Sequence, residues 1–188
     1  MKRKLILLSC FFSLSVSHAW AATSSGTIGV SLTLSNGCLI NGSTNQNSIN
    51  VGSLNFGESP ATFTQITTPL SGSDAAGHAI GLQCTTASYS VVVTGNTNTT
   101  APATVIGTPG SVARYLRSTT NTTQAVAYSL SSDSNFSTEI ANNSPLPRAS
   151  SANGIDYYML YGRIQGGGNN RAVMPGVYTD TIKVSVIY

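Results

Sequence analysis

The residues that could carry chemistry in this sequence are few: Cys10, Cys38 and Cys84, one histidine at 78 beyond the leader-like start, many serines, and a glycine-rich run, YGRIQGGGNN, at 161–170. A metal centre needs several His, Cys or carboxylate groups at short spacing. Here there is no CxxC, and no pair of histidines or carboxylates lies within helical reach. A serine hydrolase needs an exposed nucleophile beside a base. No GxSxG elbow accompanies His78, which sits in AAGHAIGL at the start of an expected strand. The glycine run lacks the Lys-Ser/Thr that closes a P-loop, and no helix is expected after it, so its glycines read as loop residues. Tyr157, Tyr158 and Tyr161 could stack on sugar rings. Alternation along one strand would instead set Tyr157 and Tyr161 on one face and Tyr158 on the other, which is ordinary packing. We therefore expect no enzyme activity, no metal, no cofactor and no small-molecule substrate.

What remains is a thiol pair, and its state depends on the compartment. Met1-Lys2-Arg3-Lys4 is a basic start, residues 5–17 are an apolar run, and Ala19-Trp20-Ala21 is a small-x-small cleavage site, so residues 1–21 read as a signal peptide and the mature chain starts at Ala22. The apolar run is shorter than the roughly 20 residues of a spanning helix, so an exported, soluble product is expected. Leu7-Leu8-Ser9-Cys10 resembles a lipoprotein box, but only about five apolar residues precede its cysteine, against roughly 7 to 15 in a usual apolar region. Removing the leader leaves Cys38 and Cys84. In an oxidising compartment an even pair reads as a disulfide, and chain-entropy arithmetic gives a loop of this size about 4 kcal/mol.

Cleavage also changes the charge. Lys2, Arg3 and Lys4 leave, and six cations (Arg114, Arg117, Arg148, Arg163, Arg171, Lys183) face six acids (Glu58, Asp74, Asp133, Glu139, Asp156, Asp180). The basic balance of the full sequence is thus a property of the leader, and nucleic-acid or anionic-lipid binding has no basic patch to rest on. Near-zero net charge in a Ser, Thr, Asn and Gly rich chain suits association between copies.

The elements that must hold these residues are strands. Alternating runs recur at 27–35, 48–57, 79–86, 89–96, 124–133, 156–165 and 178–188, separated by Gly, Asn, Ser and Pro, while 94–111 and 165–176 read as loops. The pattern predicts one all-β sandwich. Both ends of the mature chain carry a clean apolar stripe: Ile28, Val30, Leu32 and Leu34 at the start, Ile182, Val184, Val186 and Tyr188 at the end. A terminal strand is poorly held unless a sheet has a vacancy for it. It either closes its own domain or completes another molecule by β-augmentation.

The blocks NGC (36–38), GSLNFG (52–57), IGLQC (80–84), YSVVVTGN (89–96), ARYLRS (113–118), AYSLSSD (127–133), YGRI (161–164) and PGVYTDTIKVSVIY (175–188) resemble, in order, a spore coat protein U domain. Such domains are found in subunits of archaic chaperone-usher pili such as the Csu pilus. Ser131 and Ser132 depart from the family pattern, where an aromatic is expected. The resemblance implies an incomplete immunoglobulin-like β-sandwich completed by donor-strand complementation. It implies a donor-strand extension at 22–37, with Ile28, Val30, Leu32 and Leu34 as plugs, and a pilin domain at 38–188. Ile182, Val184, Val186 and Tyr188 would pair with a periplasmic pilus chaperone, whose cations would hold the terminal carboxylate. An outer-membrane usher and neighbouring pilus subunits would be the other partners. The expected end state is a cell-surface pilus serving attachment and biofilm growth, reached through the periplasm. A tip adhesin that binds carbohydrate or another surface, and a spore or cyst coat protein, are the alternatives.

Overall fold

The computed structural model describes residues 25–45, 47–72 and 80–188. His78 and Asp74 lie outside the described residues. The chain divides into two units after Leu34. In the first, residues 25–34 form neither strand nor helix, and their apolar side chains are exposed: Ile28 by 91%, Val30 by 91%, Leu32 by 81% and Leu34 by 86%.

The second unit is all-β among its described residues. It has thirteen short strands in chain order: β1 (Cys38–Ile40), β2 (Gln65–Pro69), β3 (Ile80–Cys84), β4 (Ser90–Asn96), β5 (Thr104–Ile106), β6 (Tyr115–Ser118), β7 (Gln124–Ala127), β8 (Ser129–Ser131), β9 (Ser150–Ala152), β10 (Ile155–Tyr158), β11 (Tyr161–Gln165), β12 (Tyr178–Thr179) and β13 (Ile182–Ile187). They form four sheets of order β1-β3-β10-β9, β2-β11-β8, β12-β6-β7-β5 and β13-β4. All ladders are antiparallel except β5 with β7. No sheet closes into a barrel. Layers facing one apolar core agree with the immunoglobulin-like sandwich expected from the sequence.

Three of the expected runs each break and serve two sheets. Residues 124–133 split at Tyr128 into β7 and β8, residues 156–165 at Met159 and Leu160 into β10 and β11, and residues 178–188 at Asp180 and Thr181 into β12 and β13. The breaks are tied down: Tyr128 N–H donates to Arg114 C=O, and Leu70 N–H donates to Leu160 C=O. A strand that changes sheets reaches both walls of the core, so Tyr128, Leu130, Tyr158, Leu160 and Ile164 all become buried in it. Each fully buried aliphatic side chain contributes about 1.5–3 kcal/mol.

The expectation that 48–57 is a strand fails. Only Ser53 makes a bridge, to Ser71, although Val51, Leu54 and Phe56 pack on the core. The 94–111 loop is interrupted by β5, because Val105 and Ile106 find a parallel partner in β7. Strands β1, β2, β6 and β9 fall outside the alternating runs. Tyr158 belongs to β10 and Tyr161 to β11, in different sheets, so alternation along one strand does not relate them. Ser131, where the family pattern expects an aromatic, is fully buried and satisfied: its single hydroxyl proton has Thr138 C=O (2.7 Å) and Asp133 Oδ2 (3.0 Å) in reach, and its oxygen accepts from Asp133 N–H (3.2 Å).

Asp133 winds the loop after β8. Its carboxylate accepts from the main-chain N–H of Asn135, Ser137 and Thr138 and from the Ser137 hydroxyl. The Ser137 N–H bond leads the effects that lower its pKa to about 2. A folded-state value below the unfolded carboxylate value of about 3.9 means stabilisation present above pH ~4 and lost as pH falls toward 2. The thermal midpoint is expected to drop across that window, and Asp133→Asn should flatten the drop and lower the midpoint at pH 7. Identical acid limbs for the two proteins would show that this carboxylate contributes nothing.

Candidate functional site

Strand β13 alternates by side. Ile182, Val184 and Val186 are half-buried against the core, while Lys183, Ser185 and Ile187 point outward. One edge of β13 is paired with β4 from Ile182↔Asn96 to Ile187↔Ser90, with a bulge between Lys183 and Val184. The far edge of β4 is closed by the segment after Ile140: Asn143 N–H donates to Val93 C=O and Leu146 N–H to Val91 C=O, both at 2.8 Å. Among the described residues, no strand pairs with the second edge of β13.

That second edge borders a trough. At its Asp180 end lies a cleft of about 400 Å³, whose floor and sides include Leu70, Ile80, Leu116, Tyr128 and Leu160. At its Tyr188 end lies a cleft of about 580 Å³ between β13 and β1, walled by Cys38 and Ile40. Ile49 and Val51 line both clefts.

Each wall is fixed by identifiable bonds. On the β1 side, Cys38 stands directly opposite Cys84 in the β1–β3 ladder and the two are disulfide-bonded. Thr85 N–H donates to Gly37 C=O, and Gly37 N–H donates to the Thr85 hydroxyl, prolonging the pairing past the bridge. After Ile40 the chain turns through Asn41 (φ 50°) and Gly42 (φ 75°), both left-handed as a tight hairpin turn of this kind requires. The Asn41 side chain accepts from Gly81 N–H at 2.8 Å, which locks the turn to β3.

The Asp180 end is polar. The Asp180 carboxylate accepts from the Tyr128 hydroxyl (2.8 Å), Asn96 Nδ2 (2.7 Å), Asn98 N–H (2.9 Å) and Thr181 N–H (2.8 Å). Burial, and then the neighbouring Asp180 charge, hold the Tyr128 phenol well above its ordinary pKa, so it stays a donor. Behind it Arg114 is completely buried, donating through Nη2 to Ile140 C=O (3.2 Å) and Asn142 Oδ1 (2.7 Å). Burial lowers the Arg114 pKa, and Glu139 at 4.0 Å opposes that effect.

Of the residues singled out in the sequence, the structure places Ile182, Val184 and Val186 along the trough and Tyr188 at its end. It places Cys38 in one wall. Ile28, Val30, Leu32 and Leu34 lie in the first unit with exposed side chains. Sequence reasoning missed the polar end, Arg114, Tyr128 and Asp180, and the trough-facing role of Ile49 and Val51. The DTI break in VYTDTIKV (177–184) was the available signal for the first of these, since an acid inside an alternating run marks an end to the apolar stripe. Among the described residues no group of three or more His, Cys, Asp or Glu converges as a metal site would require.

The chain matches the family model described as Spore Coat Protein U domain over residues 24–185, and it belongs to that family. This is the family that the residue blocks resemble. No curated protein matches it. Among solved structures it is similar to a chain of the chaperone–tip adhesion subunit pre-assembly complex from archaic chaperone-usher Csu pili of Acinetobacter baumannii. The identity is 16% and the TM-score 0.44; the match covers 83% of this chain and 40% of that one.

The disulfide holds one wall of the trough, so its removal should act on stability and on the trough together. A Cys38→Ser/Cys84→Ser variant is expected to lose about 2–5 kcal/mol in urea unfolding. A midpoint unchanged from the oxidised parent would show that β1 is held by its ladder alone.

Proposed function

We propose that this protein is a structural subunit of a chaperone-usher pilus, and that it polymerises by laying its N-terminal segment into the trough of a neighbouring copy or subunit. Family membership supports the class of assembly. The observation that carries the mechanism is a trough lined by apolar side chains beside a strand that, among the described residues, has one edge without a strand partner, in a protein whose N-terminal segment displays four exposed apolar side chains at strand spacing.

The two stripes are commensurate. Ile28 to Leu34 and Ile182 to Tyr188 each hold four apolar residues at alternate positions, and each spans about 20 Å when extended. Burying four such side chains contributes roughly 6–12 kcal/mol. Association costs roughly 4–15 kcal/mol, so apolar contact alone leaves little surplus. The main-chain ladder along the vacant edge of β13, at roughly 0.5–1.5 kcal/mol per bond, decides the affinity. A loose apolar peptide would therefore bind weakly, whereas an extended strand in register binds well.

In this reading residues 1–21 are a signal peptide, 22–37 the donor-strand extension and 38–188 the pilin domain. A periplasmic chaperone covers the trough through Ile182, Val184, Val186 and Tyr188 until an outer-membrane usher exchanges it for the next subunit's extension. The fibre then stands on the cell surface and supports attachment and biofilm growth. An uncovered edge strand is an aggregation hazard, which gives the chaperone its purpose.

The test compares the mature chain with a Val30→Asp/Leu32→Asp variant and with a rearranged chain carrying residues 22–35 through a flexible linker after Tyr188. The mature chain is expected to form polymers in size-exclusion chromatography and negative-stain microscopy. The aspartate variant should lose them, and the rearranged chain should be a stable monomer. Equal polymerisation by the aspartate variant would remove the donor role from this segment.

A further inference from the structure

Two clefts lie along the trough, and Ile49, Val51, Ile80, Ile182 and Val184 line both, so the side chains of Ile49 and Val51 stand where the two compartments meet, as do those of Ile182 and Val184. An extended strand of about 20 Å needs both compartments at once.

The segment that carries Ile49 and Val51 is fastened at one end. Ser53 and Ser71 exchange main-chain bonds (3.1 and 2.9 Å), the Ser71 hydroxyl donates to Ser53 C=O (2.9 Å), and the two hydroxyls lie 3.0 Å apart. Next to this anchor is Gly52, at φ +126°, where a Cβ would stand 2.2 Å from Ser71 C=O. Toward the other end Ser48 also has a left-handed backbone, at φ 58°. Between them residues 49–51 belong to no ladder, even though their alternation predicts a strand. An alternating segment that is half-buried and unpaired, bounded by two left-handed residues and anchored at one end, is built to be displaced. Opening it breaks few bonds, which places it among the least costly movements of the fold.

We propose that residues 48–52 form a hinged bar across the trough, with Ile49 and Val51 as the obstructing side chains, and that an incoming strand must swing the bar aside before it can seat. The proposal rests on the reading of the trough as a strand acceptor. The bar sets the rate at which strands enter and discriminates against short apolar segments, which can occupy one compartment without moving it.

The experiment uses the mature chain, held monomeric by dilution, and a fluorescent synthetic peptide of residues 25–37, with uptake followed by anisotropy. Ile49→Ala/Val51→Ala is expected to speed uptake about tenfold or more while final occupancy is retained. Ile49→Val, which removes a single methylene, should give a smaller acceleration in the same direction should the double variant not fold. Hydrogen exchange at residues 49–51 should change when the peptide binds. Unchanged or slower uptake by the variants would make these side chains a fixed wall and overturn the bar. A folded, oxidised parent that takes up no peptide at all would instead overturn the acceptor reading itself.

Discussion

Every main-chain N–H and C=O of a buried strand must be paired or hydrated, and among the described residues β13 finds a strand partner along one edge only. The rest of the domain is arranged around this deficit. Strand β4, its partner, is closed on the far side by residues 143–146, so the sheet can grow only at β13. The half-buried Ile182, Val184 and Val186 keep that edge against the core instead of letting it splay into solvent. The result is a vacancy with a defined width, bounded on one side by a main-chain edge and on the other by a wall tied to β3 through a disulfide.

The polar residues of the interior explain how an unfinished sheet keeps its shape. At the junction of β12 and β13 the Asp180 carboxylate gathers four donors from the two chain segments it joins and from Tyr128. That places the start of β13 independently of whatever later lies beside it. Arg114, buried behind Tyr128, ties β6's approach to the segment at 139–142. Burying a cation is costly where its donors go unpaired, and here Nη2 of Arg114 makes two hydrogen bonds while Nε and Nη1 make none among the described residues. Its effect is to hold specific segments together, which a purely apolar core would do less selectively.

Legibility followed the physics of each signal. Short strands such as 80–84 and 90–96 were readable from their apolar and β-branched content between turn residues, although consecutive residues of each, Ile80–Leu82 and Val91–Val93, are buried on both faces. The thiol pair was readable because removal of the leader leaves two cysteines. Breaks within runs were not readable at Tyr128 or Leu160, since a strand changing sheets keeps its apolar residues buried on both sides of the break and the pattern continues through it. Residues 48–57 show the opposite failure. Their alternation comes from packing on the core, as Val51, Leu54 and Phe56 do, but a strand also needs a neighbour with free main-chain groups, and only Ser71 offers one. The trough was implied by the family resemblance but could not be derived from the residue pattern, because a vacancy is a property of several sheets together and not of any segment.

For a strand lying in this trough, the two ends are unequal, and the inequality carries a consequence for register. At the Tyr188 end the walls are Cys38, Ile40 and Val186, and the side chains of Ile187 and Tyr188 remain largely exposed. At the other end the apolar stripe stops at a carboxylate whose oxygens are already committed to four donors. An apolar side chain pushed past Ile182 would meet that charge and displace bonds that fix β13, whereas one overrunning Tyr188 would merely enter solvent. A slip by one residue would turn the whole apolar set outward, so the permitted shifts are by two, and the Asp180 end forbids them in one direction. In the proposed assembly the polar cluster that positions β13 would therefore also serve as the stop against which a four-residue apolar stripe is measured.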